Sequence, residues 1–339
     1  LGVGVYLAAV SATRGTVDAD EVRRAASFDD IDAETVVEEV GLGMGKGIGS
    51  LVYGLSVLGT LTGENRYFER ATRLATAVSD EMLAGTEQAD VLLGVAGTLH
   101  GLAALYERTD EKVVLDRAIS CGEQLLAARK PKWGTHVWDT HPGDASSCST
   151  GMGHGAAGVC YGLYRLYDHT GRVAFKDAAD DALQYENAMY TPAENNWWAN
   201  WNDVEHFPRW WCYGVAGIGL ARIGSLEHHD ATHLRRDLDR AAGFEPAVGK
   251  RDALCHGTFS QVAFLSELAR VRRDRHEERA RELAERAVRR RHDRGAYQVA
   301  CGCIDELANP SLFLGLPGIG YTLLRLVEST DLPSLLRFE

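Results

Sequence analysis

No apolar run in this chain of 339 residues approaches the ~20 needed to span a bilayer. A secretory signal is missing too, because the opening "LGVGVYLAAV" has no basic segment ahead of its apolar residues. That opening has no initiating Met, so the chain reads as part of a longer product. Positive charge is in deficit: the net charge is −12, and arginine far outnumbers lysine. Such a surface argues against nucleic acid and anionic lipid as partners, since both select basic patches. Cysteine is scarce and its count, seven, is odd. With no secretory signal, this argues against a disulfide framework and for a reducing, cytoplasmic setting. The thiols are then buried packing, metal ligands or catalytic groups. Strand-like stretches are confined to short irregular pieces such as "WGTHVWDT".

A repeat fills the chain, and repeats bear on the fold before anything else does. "GVAGTLHGLAALY" (94 to 106) matches "GAAGVCYGLYRLY" (155 to 167), and "GVAGIGLARI" and "GLPGIGYTLLRL" repeat the opening. "GIGSLVYGLSVL" and "GTFSQVAFLSEL" carry Ser in place of the second glycine. Seven copies start near residues 1, 47, 94, 155, 214, 257 and 315, the first cut just after its first glycine. Between them, segments such as 66–83, 112–130, 174–190 and 277–292 have apolar residues three and four apart with charged outer faces. Seven pairs of a nearly uncharged and an amphipathic helix predict an all-α fold over 1–339: a single α/α toroid with the nearly uncharged helices inside, an open superhelix of helical hairpins being the alternative. Glycine suits loops where backbones converge or φ turns positive. Helix N-termini gathered round one opening would aim their amides into it, so chemistry is expected at that end.

Cys212 precedes Gly214, Cys255 and His256 precede Gly257, and His154 precedes Gly155. In a closed ring these residues converge on one mouth. Two thiolates and an imidazole suit zinc with a fourth position left open. The plainer alternative is that the cysteines are small buried residues and His154 is structural. Cys121 and Cys160 read as packing, and Cys148 has no evident partner. Cys301 and Cys303 form a C-x-C that could also bind metal. The stretch 195–214 holds five tryptophans and reads equally as a peptide groove or a packed insertion, with His206 exposed or capping.

"WCYGVAGIG", "LCHG", "GHGAAG" and the Gly-x-x-Gly helices resemble the lanthionine synthetase C-like cyclases over essentially the whole chain. "DVLLGVAGTLHGL", "LFLGLPGIGYTLLRL" and the closing "LPSLLRFE" look most like the C-terminal cyclase domain of class II bifunctional lanthipeptide synthetases. The resemblance implies zinc on Cys212, Cys255 and His256, and an acid/base role for His154 linked to Asp90. Tyr213 follows the ligand cysteine, and Arg209 is the candidate for an arginine found shortly before it. "TFSQVAFL" replaces the usual Gly-Asn-containing continuation after Cys-His-Gly, which should alter the local turn and spare the ligands.

The implied activity is cyclisation of a dehydrated, leader-bearing lanthipeptide precursor, with an N-terminal dehydratase domain as partner. A substrate cysteine, deprotonated at zinc, would add to the β-carbon of dehydroalanine or dehydrobutyrine, and His154 would protonate the α-carbon. Three rivals remain at this level. One is a zinc-containing relative that binds glutathione or modified proteins, and another is a non-catalytic relic of a bifunctional synthetase. The third, a toroidal glycoside hydrolase, would need paired carboxylates, for which Asp90, Asp139 and Asp144 are available.

Overall fold

The structure, a computed structural model, describes residues 1–27, 32–140, 148–200, 206–299, 309–328 and 332–339. The chain opens with α1 (Gly2–Arg14), α2 (Ala19–Ala25), α3 (Ala33–Val40), α4 (Ile48–Thr62), α5 (Asn65–Thr76), α6 (Asp80–Ala84), α7 (Val95–Thr109) and α8 (Lys112–Ala127). A hairpin of β1 (Lys130–Lys132) and β2 (Thr135–Val137) follows, then α9 (Ala156–Thr170) and α10 (Val173–Ala188). A second hairpin, β3 (Tyr190–Thr191) with β4 (Asn196–Trp197), leads to α11 (Val215–His228), α12 (Thr232–Ala242), α13 (Thr258–Arg272), α14 (His276–Arg294) and α15 (Leu316–Glu328).

The seven glycine-led copies are α1, α4, α7, α9, α11, α13 and α15. Each packs on the next, and α15 packs on α1, so they close into an inner ring. The helices α2, α5, α8, α10, α12 and α14 each pack outside the inner helix that precedes them. Burial follows the pattern of the sequence. In α9 every residue from Ala156 to Leu166 is buried. In α14 the buried set is His276, Ala280, Leu283, Ala284 and Ala287, one stripe of a helix whose other side is charged. The architecture is an α/α toroid.

Two expectations need correction. Seven helix pairs are expected, but among the described residues no outer helix follows α15. "LPSLLRFE" has neither the length nor the periodicity of an amphipathic helix; residues 332–339 turn inward, where Ser334, Leu335, Leu336, Arg337 and Phe338 are each 4% exposed or less. Positive φ is also not the general reason for the leading glycines. Gly47, Gly94, Gly155 and Gly257 have φ of −99°, −124°, −130° and −144°. Gly214 differs, with φ 88° and a site where a Cβ would fall 1.8 Å from the Pro208 carbonyl oxygen. Close approach is the shared cause. At Gly97 a Cβ would lie 1.9 Å from the Val91 oxygen and 2.4 Å from the Met44 nitrogen. Where serine replaces the second glycine, Ser50 and Ser260 turn their hydroxyls back to the Gly47 and Gly257 carbonyls, each at 2.7 Å.

Candidate metal centre and catalytic cavity

The loops that lead into the inner helices are tied to one another by backbone hydrogen bonds. Met44 and Gly45 donate to Val91 and Leu92, both at 2.8 Å, and Val91 and Leu92 donate to Gly153 at 3.1 and 3.0 Å. Gly153 and His154 donate to Cys212 at 3.2 and 3.3 Å, Cys212 to Cys255 at 3.1 Å, and Cys255 to Phe313 at 2.9 Å. This collar runs from repeat to repeat around the ring's mouth, and a side chain at its glycines would force it apart.

Inside the collar lies a cavity of about 590 Å³. Its lining follows one register: in six repeats it comes from the two residues before the leading glycine, or from the nearer of them. These are Gly45 and Lys46, Leu92 and Leu93, His154, Cys212 and Tyr213, Cys255 and His256, and Phe313 and Leu314. Trp210 and Ser311 complete the wall. Sequence reasoning found the cysteines and histidines of this register and missed Lys46, Leu93 and Leu314. The same offset from each glycine would have found them.

Cys212, Cys255 and His256 come together with ligand atoms all within 4.8 Å of one another. Both cysteines are 5% exposed. A hydrogen bond with Cys255, a second with His256 and the nearness of His154 hold the Cys212 thiol down to about 5, against the upward push of burial. Two sulfur donors and an imidazole, buried at the edge of an open cavity, fit a zinc site with a free position. Arg251 Nη1 lies 2.6 Å from His256 Nε2 and donates to it. No motif singled out Arg251, which sits five residues ahead of the histidine on the approach to α13.

His154 and Asp90 are sixty-four residues apart and in direct contact, His154 Nδ1 to Asp90 Oδ2 at 2.6 Å. Asp90 is fully buried, and its other oxygen accepts the Leu93 amide at 2.7 Å. The carboxylate is therefore fixed at both ends, and the imidazole is fixed by it. The Tyr213 ring stacks on His154 with centroids 5.0 Å apart and planes at 26°. Arg209 is not brought to this group. It is exposed, forms an isolated bridge with Gly214 and does not line the cavity.

The other candidates fall elsewhere. Cys121 and Cys160 are buried in helix packing, and burial pushes the Cys121 thiol up to about 12. Cys148 is buried against Asp139, which pairs with Lys130 rather than facing the cavity. Asp144, Cys301 and Cys303 lie outside the described residues. Among the described lining residues there is no carboxylate at all, so the paired acids of a glycoside hydrolase have no support. Of the tryptophans described in 195–214, Trp197 and Trp211 are wholly buried and Trp210 reaches the cavity, while His206 is exposed.

The family pattern described as "Lanthionine synthetase C-like protein" matches residues 2–337. Among solved structures, nisin cyclase superposes with a TM-score of 0.75, covering 99% of this chain and 90% of its own at 16% identity. An unsaturated glucuronyl hydrolase specific for heparin gives a TM-score of 0.56 at 12% identity, over 84% of this chain and 87% of that one. A sugar epimerase from a ruminal bacterium gives 0.55 at 11%, over 91% and 98%. At such identities the likeness is one of fold. No curated protein matches the sequence significantly. No helix of the described residues is long and apolar enough to cross a membrane.

Proposed function

Because the chain belongs to the lanthionine synthetase C-like family, we propose that it is a peptide cyclase. It closes thioether rings by adding a cysteine thiol to dehydroalanine or dehydrobutyrine within one dehydrated lanthipeptide precursor. The observation that carries this reading is the meeting, in one largely apolar cavity, of the Cys212, Cys255 and His256 donor set with a histidine held by a buried aspartate. Cys212, Cys255 and His256 would hold zinc, which supplies a Lewis acid favouring the deprotonated form of a thiol brought beside it.

The remaining work belongs to the chain. Asp90 accepts the Nδ1–H of His154, which leaves Nε2 as the atom that exchanges protons. His154 takes the thiol proton and delivers one to the substrate's α-carbon. The step balances without a co-reactant: the S–H bond breaks, the S–Cβ bond forms, the C=C π bond is consumed and the proton ends on Cα. Leu92, Leu93, Phe313, Leu314 and Trp210 keep competing water away from the alkene. Lys46, the one Lys or Arg among the described lining residues, gives positive charge to the cavity in which an enolate develops. The dehydrated residues would come from a dehydratase, read here as an N-terminal domain of the full-length product, in the cytoplasm.

A synthetic peptide with one cysteine and one dehydroalanine tests this. After incubation the free thiol is trapped with N-ethylmaleimide and the mass is read. The protein should leave no adduct, and His154→Asn should leave most of it. Full trapping with the unaltered protein would sink the reading.

A further inference from the structure

The closing segment, residues 332–339, lies in the axis of the ring and is held there as a ligand is held. Tyr53, Tyr161 and Tyr321 occupy the same place, the sixth residue, in α4, α9 and α15. Their hydroxyls donate to the carbonyls of Ser334 at 3.5 Å, Arg337 at 2.9 Å and Pro333 at 2.9 Å. Arg325 Nε donates to the Leu332 carbonyl at 2.9 Å. Arg337 pairs with Glu267 of α13 at 3.1 Å and with Glu227 of α11. The sixth residue of α7, His100, stacks on Phe338 with centroids 4.9 Å apart. Six of the seven inner helices thus contribute a side chain to one octapeptide.

One contact leaves the axis and reaches the mouth. Trp211, beside Cys212 in sequence, donates its indole N–H to the Leu336 carbonyl at 3.0 Å. The Trp211 ring stands edge-on to Phe338, 6.0 Å between centroids at 76°. The ring also stacks on Phe313, 5.2 Å at 17°, and the Phe313 carbonyl accepts the Cys255 amide at 2.9 Å. The backbones that carry both thiols therefore rest on an indole and a phenyl ring whose seat is the closing segment.

We infer that residues 332–339 are a built-in plug that positions the cysteine pair: Phe338 and the Leu336 carbonyl fix Trp211, and Trp211 with Phe313 fixes Cys212 and Cys255. Phe338 and Trp211 are positioning residues, since neither lines the cavity. The inference rests on the reading of Cys212 and Cys255 as the working site, and its tests separate the two. Removing such a support typically weakens metal binding by about 10- to 100-fold.

Phe338→Ala and Trp211→Phe are compared with Leu125→Ala, a buried change on the outer helix α8. The first readout needs no metal: the alkylation rate of the Cys212 and Cys255 thiols in stripped protein, followed by mass spectrometry with folding monitored by circular dichroism. The second is the cobalt(II) thiolate absorption band and the cobalt affinity. Phe338→Ala and Trp211→Phe should alkylate about tenfold faster and bind cobalt more weakly with a shifted band, while Leu125→Ala, at comparable loss of stability, should do neither. A chain lacking 332–339 should recover both signals when the free octapeptide LPSLLRFE is added. Unchanged alkylation and cobalt spectra in both variants, or changes matched by Leu125→Ala, would overturn the inference. If the unaltered protein fails to cyclise peptide while the alkylation contrast holds, the plug stands and the proposed function falls.

Discussion

At the mouth of the ring, neighbouring repeats are joined by backbone: Cys212 to Cys255 and Gly153 to Cys212, with glycines where any side chain would collide. In the axis below, they are joined by side chains: three tyrosine hydroxyls, an indole, and the ion pairs of Glu267 with Arg325 and Arg337. The mouth has one lysine and no carboxylate among its described lining residues. The axis concentrates buried charge. A collar made of backbone leaves most side chains just before each glycine free of structural duty, Phe313 excepted, and those are the positions that carry cysteine, histidine and lysine. An axis made of interlocking side chains has no such freedom, and its residues hold the closing segment in place.

The largest test breaks the mouth alone. Cys212→Ala removes a proposed metal donor from a position that backbone contacts hold, so cyclisation should drop to the uncatalysed rate, by thiol trapping, while the far-ultraviolet spectrum stays unchanged. His154→Asn should keep the metal and lower the rate by about 10²- to 10⁴-fold, the range of one general acid–base group. Breaking the axis should cost stability first. Glu267→Ala leaves Arg325 and Arg337 short of a buried partner, and the cost should be about 3–5 kcal/mol in denaturant unfolding.

The smallest effect is a pH profile. The Cys212 thiol is held down to about 5, so in stripped protein its thiolate persists as pH falls from the usual thiol range toward 5. The stability tied to that thiolate is present above the ordinary value and lost as pH falls through about 5. Iodoacetamide should therefore react with Cys212 at rates nearly constant between about pH 6 and 8, where an ordinary thiol slows about tenfold per unit. A tenfold-per-unit slope would show that the hydrogen bonds do not hold the thiolate.

Much of this was legible because the repeat is local. A leading glycine before a nearly uncharged helix, with a second glycine or a serine three residues on in all but the truncated first copy, located the inner helices, and the residues just ahead of Gly155, Gly214 and Gly257 located His154, Cys212, Cys255 and His256. Asp90 came from the family resemblance, and its contact with His154 could not be read from spacing, because it depends on how two loops sixty-four residues apart lie in the collar. Arg209 stands close to Cys212 in sequence, but it is exposed and does not line the cavity. Arg251 and the plug were hidden differently. "LPSLLRFE" has no periodicity, and its meaning lies in partners on six helices.

The most direct test of the central claim is the zinc content of the purified protein, read by mass spectrometry of the metal against protein concentration. One zinc per chain, falling to none in Cys255→Ala while folding is retained, is the expected result. A folded, unaltered protein that takes up no zinc even when it is supplied would contradict the account.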